Sequence, residues 1–238
     1  MDKIFTKNIE HESAVKHVTG KAIYTDDISE PKNLLHAVIG YSNCSKGVIK
    51  KIDYKDVLSS EGVVDIITEK DIEGINDVGP IFKGDKIFTS KNIEYYGQPI
   101  FAVIAKTNNL AKKAALKVKI DLKISKPIVS IEEALKKKSF VLKPKHLTRG
   151  DIKDGFKKSD NILKGKLYSG GQDHFYLEGQ IAMTIPQEDN NFLVYSSTQH
   201  PSETQQIIGK VLKQNYNSIH VIVRRIGGGF GGKETQSF

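Results

Sequence analysis

The sequence has 238 residues, enough to bury one substantial core or to divide into two modest domains, and its 38% hydrophobic and 27% charged residues are those of an ordinary globular protein. A formal net charge of +8 raises the question of nucleic acid, yet among 36 cationic residues only Arg149, Arg224 and Arg225 are arginines, and the lysines are scattered along the chain. Lysine is a hydrated point charge, poor at bidentate base and phosphate contacts, so the charge reads as a solvated surface with no nucleic-acid partner.

From Met1 to Glu12 the chain is charged throughout and lacks the apolar stretch of a signal peptide. No later apolar run approaches bilayer length, which predicts a cytoplasmic protein with no membrane partner. Residues 34–41, 48–54 and 63–68 are rich in Val and Ile and bounded by turn residues, the pattern of strands, with a short helix at 54–60 between the second and third. Cys44 is the single cysteine, so no intrachain disulfide, CxxC zinc site or Cys-ligated iron–sulfur cluster is available; a small half-buried residue is expected there.

Gln98–Ala105 predicts a buried strand. Asn108–Val118 predicts a helix capped by its own Asn, with Leu110, Ala111, Ala114, Ala115 and Val118 along one face. Lys117–Ile124 alternates apolar and charged residues, the period of a half-exposed strand. Residues 126–160 change character: Pro127, a Lys-rich helix at Ser130–Lys138, Pro144, and Arg149-Gly150-Asp151. With no secretion signal, that tripeptide reads as a turn running into a helix N-cap at Asp151 and not as an adhesion motif. Strands are expected again at Asn161–Tyr168, Leu177–Ile185 and Asn191–Ser196, then a helix at Ser202–Lys213 and a strand at Ser218–Arg225. The fold class is α+β (mixed α/β), with one domain over 1–125, a connecting segment over 126–160 and a second domain opening at 161–238.

The last strand runs into five glycines around one aromatic, Gly227-Gly228-Gly229-Phe230-Gly231-Gly232. Gly227, Gly229 and Gly232 formally satisfy G-x-G-x-x-G, but a dinucleotide site needs a following helix and an acidic residue about 20 positions on, and the sequence has no room for either. A P-loop fails because Glu234 stands where a hydroxyl must meet Mg²⁺. Two readings stay open. The turn either offers bare peptide N–H groups to an anionic oxygen, with Phe230 as an aromatic wall, or forms a glycine-rich β-corner with Phe230 in the core. Upstream, Gly170 and Gly171 place Gln172 on a turn, where a neutral amide can donate to an oxygen without altering the local charge. His174 and Glu178, four apart, lack the further ligands of a zinc site; a structural His and a buried, paired Glu are expected. Thr198-Gln199-His200-Pro201 reads as a cap and turn whose polar side chains line a cleft.

Taken in order, Gly20–Ile28, Tyr95–Pro99, Gly170–Phe175 with Ser197–Gln199, and Gly227–Glu234 resemble the molybdenum-binding subunit of xanthine dehydrogenases, within the wider molybdenum hydroxylase family. The resemblance covers nearly the whole chain. It implies an α/β hammerhead domain followed by the opening of a molybdenum-cofactor-binding domain. It implies that Gln172 hydrogen-bonds an oxygen ligand of molybdenum, that Phe230 and Gly231 present backbone amides beside the metal, and that Glu234 holds the heterocycle of a purine such as hypoxanthine or xanthine. The implied cofactor is molybdenum-molybdopterin, with electrons passing to iron–sulfur clusters, FAD and NAD carried outside this chain. Aldehydes or other N-heterocycles are the alternative substrates, and an inert docking fragment the alternative role. The family's catalytic base and substrate-orienting arginine are expected beyond Phe238, and Glu10, Glu12 and Glu178 stand in the wrong motifs to replace the base. The chain is therefore expected to be a split-gene product or shortened form, inactive without the remainder of the subunit.

Overall fold

The computed structural model describes residues 9–235, so Met1–Asn8 of the charged leader lie outside the described residues. The chain divides into two compact units, one formed by Met1–Ile124 with His174–Phe238 and the other by Ser125–Asp173.

The first unit holds three three-stranded sheets. Strands β1 (His36–Tyr41), β2 (Gly47–Asp53), β3 (Val63–Ile67), β4 (Asn92–Ile93), β5 (Pro99–Ala105) and β6 (Lys119–Ile124) make the first two, in the orders β1-β5-β3 and β4-β2-β6. β5 is apolar throughout because it is the central strand, antiparallel to both neighbours. Helix α3 (Asn108–Ala115) packs against β1 and β5, placing Ala111 and Ala114 on a core of Val57, Ile93, Ile100, Phe101 and Val103. Phe101 is fully buried and meets Tyr54 edge-on at 5.2 Å between ring centroids. Cys44 lies in the same core, buried and free. Helix α2 (Lys55–Leu58) and the short helix α1 (Ala14–Val18) complete this part.

The Gly97-Gln98-Pro99 motif is structural. Gly97 takes a φ of 81°, and buried Gln98 donates its N–H to Ser42 Oγ at 3.2 Å while its Oε1 accepts from Glu94 N–H at 2.8 Å. The cap of α3 differs from expectation. Thr107, one residue earlier than Asn108, accepts from Leu110 N–H at 3.2 Å, because its extended φ of −144° sets it just outside the first turn.

The third sheet joins β7 (Ala182–Pro186), β8 (Phe192–Ser196) and β9 (Ile219–Ile222) in that order. β7 and β8 are antiparallel across an exposed connection in which Asp189 and Asn190 have left-handed φ of 57° and 58°. β8 and β9 are parallel, so the chain between them must cross over, and helix α6 (Pro201–Leu212) does this while packing on β9. β7 begins at Ala182, five residues later than expected; residues 174–181 run without strand pairing.

The second unit carries two short helices, α4 (Ile131–Lys136) and α5 (Ile152–Lys158). Ser130 caps the first, and Asp151 caps the second by accepting from Lys153 and Asp154 N–H at 2.9 and 3.1 Å, as the sequence predicts. The strand expected at Asn161–Tyr168 does not form: the segment is exposed and without regular structure, with Leu163 and Leu167 at 100% and 93% exposure. Gly165 interrupts it, and an unpaired strand lacks the ladder that would stabilise it.

Candidate functional site

Strand register brings three segments to one edge of the third sheet. Ala182, at the start of β7, faces Ser196 at the end of β8, and Tyr195 faces Ile222 at the end of β9. The residues before β7, after β8 and after β9 therefore emerge together, at the carboxyl ends of the two parallel strands. Sheets with parallel strands commonly bind ligands at that edge. Fully buried Ser197 fastens it, accepting from Ile181 N–H at 3.1 Å and donating to the Gly179 carbonyl at 3.2 Å.

The glycine segment after β9 closes into a tight turn, with Gly232 N–H donating to the Gly229 carbonyl at 2.8 Å. Gly228 and Gly231 take φ of 98° and 89°, and Phe230 between them takes 52°, rare for an aromatic residue. Phe230 is 76% exposed, so the β-corner with Phe230 in the core does not form. The space beneath the turn is already filled by Tyr176 and Glu178, against which Gly232 and Gly227 pack with no room for a Cβ.

Side chains from the neighbouring segments grip this turn. Gln199, leaving β8, accepts through Oε1 from Gly231 N–H at 2.9 Å and Lys233 N–H at 3.3 Å, and its own N–H donates to the Lys233 carbonyl at 2.7 Å. With Oε1 committed to the turn, the exposed Gln199 side chain has its orientation set, which leaves the Nε2 amide group as its donor. Glu178 accepts through Oε2 from Gly227 N–H at 2.7 Å and from the Lys233 ammonium at 2.8 Å. Lys233 is fully buried, its Nζ 4.9 Å from the centre of the Tyr176 ring. Gln180 Nε2 donates to the Gly232 carbonyl at 2.9 Å.

Beside this edge lies a cavity of about 380 Å³, lined by residues 23–25 and 27–29 with Tyr195, Ile222, Arg224 and Arg225. Arg225 ties its walls together by donating to the Ile23 carbonyl at 2.7 Å and to Ser13 Oγ at 3.4 Å. Among the described residues no group of three or more His, Cys, Asp or Glu side chains is placed to hold a metal ion.

Of the residues singled out from sequence, Phe230, Gly231 and exposed Glu234 stand together on this turn. Gln172 belongs to the unit Ser125–Asp173, where it is exposed. Glu178 is paired as expected, with Lys233, and its side chain is 9% exposed. Lys233 and the specific role of Gln199 were not foreseen. A signal for Gln199 was present: a strand, a helix and a strand in succession imply a parallel pair, which sets the residues after both strands at one edge.

Two family descriptions match the chain. An aldehyde oxidase and xanthine dehydrogenase a/b hammerhead domain matches residues 19–126, and a molybdopterin cofactor-binding domain matches residues 133–238. The chain is 40% identical over 232 residues to a xanthine dehydrogenase of Dictyostelium discoideum and 38% identical over 232 residues to aldehyde oxidase 1 of Bos taurus. These alignments cover 98% and 96% of this chain but 17% of each relative, so the chain spans about a sixth of the curated relatives it matches. Among solved structures, the aldehyde oxidoreductase from Desulfovibrio gigas superposes with a TM-score of 0.81 at 26% identity, over 93% of this chain and 27% of that one. Quinoline 2-oxidoreductase from Pseudomonas putida 86 gives 0.82 at 19% identity, over 96% and 32%, a likeness of fold alone.

Proposed function

We propose a function from one premise: this chain belongs to the aldehyde oxidase and xanthine dehydrogenase family of molybdenum hydroxylases. In this reading the glycine turn and Gln199 form one wall of a molybdenum-molybdopterin site, in an enzyme that hydroxylates hypoxanthine or xanthine.

The donor set fits such a cofactor. A neutral amide donor suits a metal-bound oxygen because it stabilises negative charge without adding a positive one. The face of the turn beside Phe230 is open: a Cβ placed on Gly231 would meet nothing nearer than His174 Nε2 at 4.0 Å. When bound, the cofactor supplies the redox chemistry, delivering a water-derived oxygen to a ring carbon and accepting two electrons. The chain's own residues bind and orient. Gln199 Nε2 donates to the cofactor, the exposed Phe230 ring covers one face of a planar substrate, and Glu234 accepts a hydrogen bond from a ring N–H.

The observation that carries this reading is the pair of peptide N–H groups fixing Gln199 Oε1. For that reason Gln199 is proposed as an amide donor to the cofactor, beside the role that the family resemblance implies for Gln172. In the holoenzyme containing this chain, Gln199→Ala is expected to retain molybdenum and lose about 100-fold in kcat, the typical worth of one donor at developing charge. Gln172→Ala is expected to show a comparable loss; a Gln172→Ala variant near wild type would leave the amide role to Gln199 alone. For the substrate, Glu234→Leu is expected to lower kcat/KM for xanthine by roughly 10- to 100-fold, one hydrogen bond to a charged group, and to spare aromatic aldehydes. Equal losses on both would favour an aldehyde or other heterocycle enzyme. The remainder of the subunit and iron–sulfur and FAD partners, in the cytoplasm, complete the proposed assembly; among the described residues no helix is long and apolar enough to cross a membrane.

A further inference from the structure

We propose that Glu178 and Lys233 are positioning residues that set the shape of the glycine turn, an inference that rests on the proposed role of that turn. One oxygen, Glu178 Oε2, holds both ends of the segment: Gly227 N–H at 2.7 Å and Lys233 Nζ at 2.8 Å. The other oxygen, Oε1, is buried with no hydrogen-bond partner among the described residues, so the carboxylate is committed there through a single atom and any rotation weakens both bonds. Gly227 stands so close that a Cβ would approach Glu178 Cβ to 2.5 Å.

An ion pair this buried is a poor source of stability, because an apolar pair of similar volume avoids the desolvation cost of both charges. What the pair supplies is direction, and the turn needs it. Phe230 holds a left-handed φ of 52°, a conformation that persists only where the surroundings over-determine it. Gln199 constrains the turn from above, through Gly231 and Lys233 N–H. The Glu178–Lys233 pair constrains it from below, by closing its base.

The test uses the holoenzyme and compares Glu178→Met, Lys233→Met and the double variant by Tm, molybdenum content, kcat, KM and the electron paramagnetic resonance spectrum of the reduced metal. Each single variant leaves one charge buried and is expected to lower Tm. The double variant is expected to recover Tm yet stay about 30- to 100-fold low in kcat, the effect of a small misplacement in an oriented site. Its KM is expected within about threefold of wild type, with molybdenum retained and the spectrum altered. Recovery of kcat and the wild-type spectrum together with Tm overturns the proposal. If the double variant does not fold, Glu178→Gln decides: it keeps an acceptor for Gly227 N–H but weakens the pair, and a wild-type spectrum and kcat again overturn it. Gln199→Ala, run in parallel, separates the two readings. If it alters the spectrum while the pair variants do not, the positioning role fails alone; if none does, the cofactor site fails as well.

Discussion

Replacing Gly229 with Ala tests how tightly Gln199 and the glycine turn are joined. Gly229 has no left-handed φ, so the added methyl and not backbone strain is the perturbation. That methyl would lie 2.5 Å from Gln199 Oε1, 2.7 Å from Cδ and 2.9 Å from Cγ, nearly an ångström short of ordinary contact at 3.4 Å. Moving Oε1 that far breaks its bonds to Gly231 and Lys233 N–H, now 2.9 and 3.3 Å. Two peptide hydrogen bonds at about 1 kcal/mol each give roughly 2 kcal/mol of destabilisation. At the size of this chain that corresponds to a fall in Tm of about 4–8 °C, readable by calorimetry. The decisive arm is Gly229→Ala combined with Gln199→Ala. With the long side chain gone the three atoms nearest the methyl are removed, so the double variant should cost no more than Gln199→Ala alone, a coupling of about 1–2 kcal/mol. Additive losses, within about 0.5 kcal/mol, would refute the idea that the glycine exists to admit that amide.

Further outcomes follow from other parts of the fold. Gly40→Ala would set a methyl inside the ring of fully buried Phe101, its cross-strand partner, and is expected to cost about 1–3 kcal/mol or more in thermal unfolding, with Phe101→Leu relieving part of the loss. Thr107→Ala removes the cap of α3 and should cost about 1 kcal/mol, whereas Asn108→Ala should be nearly silent. Burial, and secondly the charge of Asp71, push the Tyr54 hydroxyl up from 10.0 to about 12. Because the folded protein favours the neutral phenol, its contribution is complete below pH 10 and is lost as pH rises towards 12. Tyr54→Phe should therefore flatten the alkaline fall in Tm over that window. Hydrogen bonding from Thr68 lowers the pKa of the Asp71 carboxyl, so that interaction is present at neutral pH and is lost on acidification below the ordinary carboxylate range; Asp71→Asn should remove that acid dependence.

Pattern exposed most of the secondary structure, because β6, α3 and α6 each bury a face whose spacing is written in the residues, and β5 is a continuous apolar run. It misled at Asn161–Tyr168, where Ile162, Leu163, Leu167 and Tyr168 suggest a strand but no strand among the described residues pairs with them. The site was legible by kind more than by partner. The glycines announced close backbone approach, and Glu178 announced a buried pair. Lys233 was hidden because nothing local distinguishes a fully buried lysine from the many solvated ones; only the folded position of Tyr176 and Glu178 does. Gln199 and Gln172 are both neutral amides near small residues, and local sequence does not reveal that parallel strand ends bring Gln199 to the glycine turn.

The exposed connection between β7 and β8 lies at the opposite end of the sheet from the glycine turn, separated from it by the length of β8. At about 3.3 Å per residue, five residues place roughly 16 Å between them. Asp189 and Asn190 could thus carry a fluorophore, an epitope or a few inserted residues as a handle on the molecule, reporting on assembly while the edge that bears the glycine turn stays untouched.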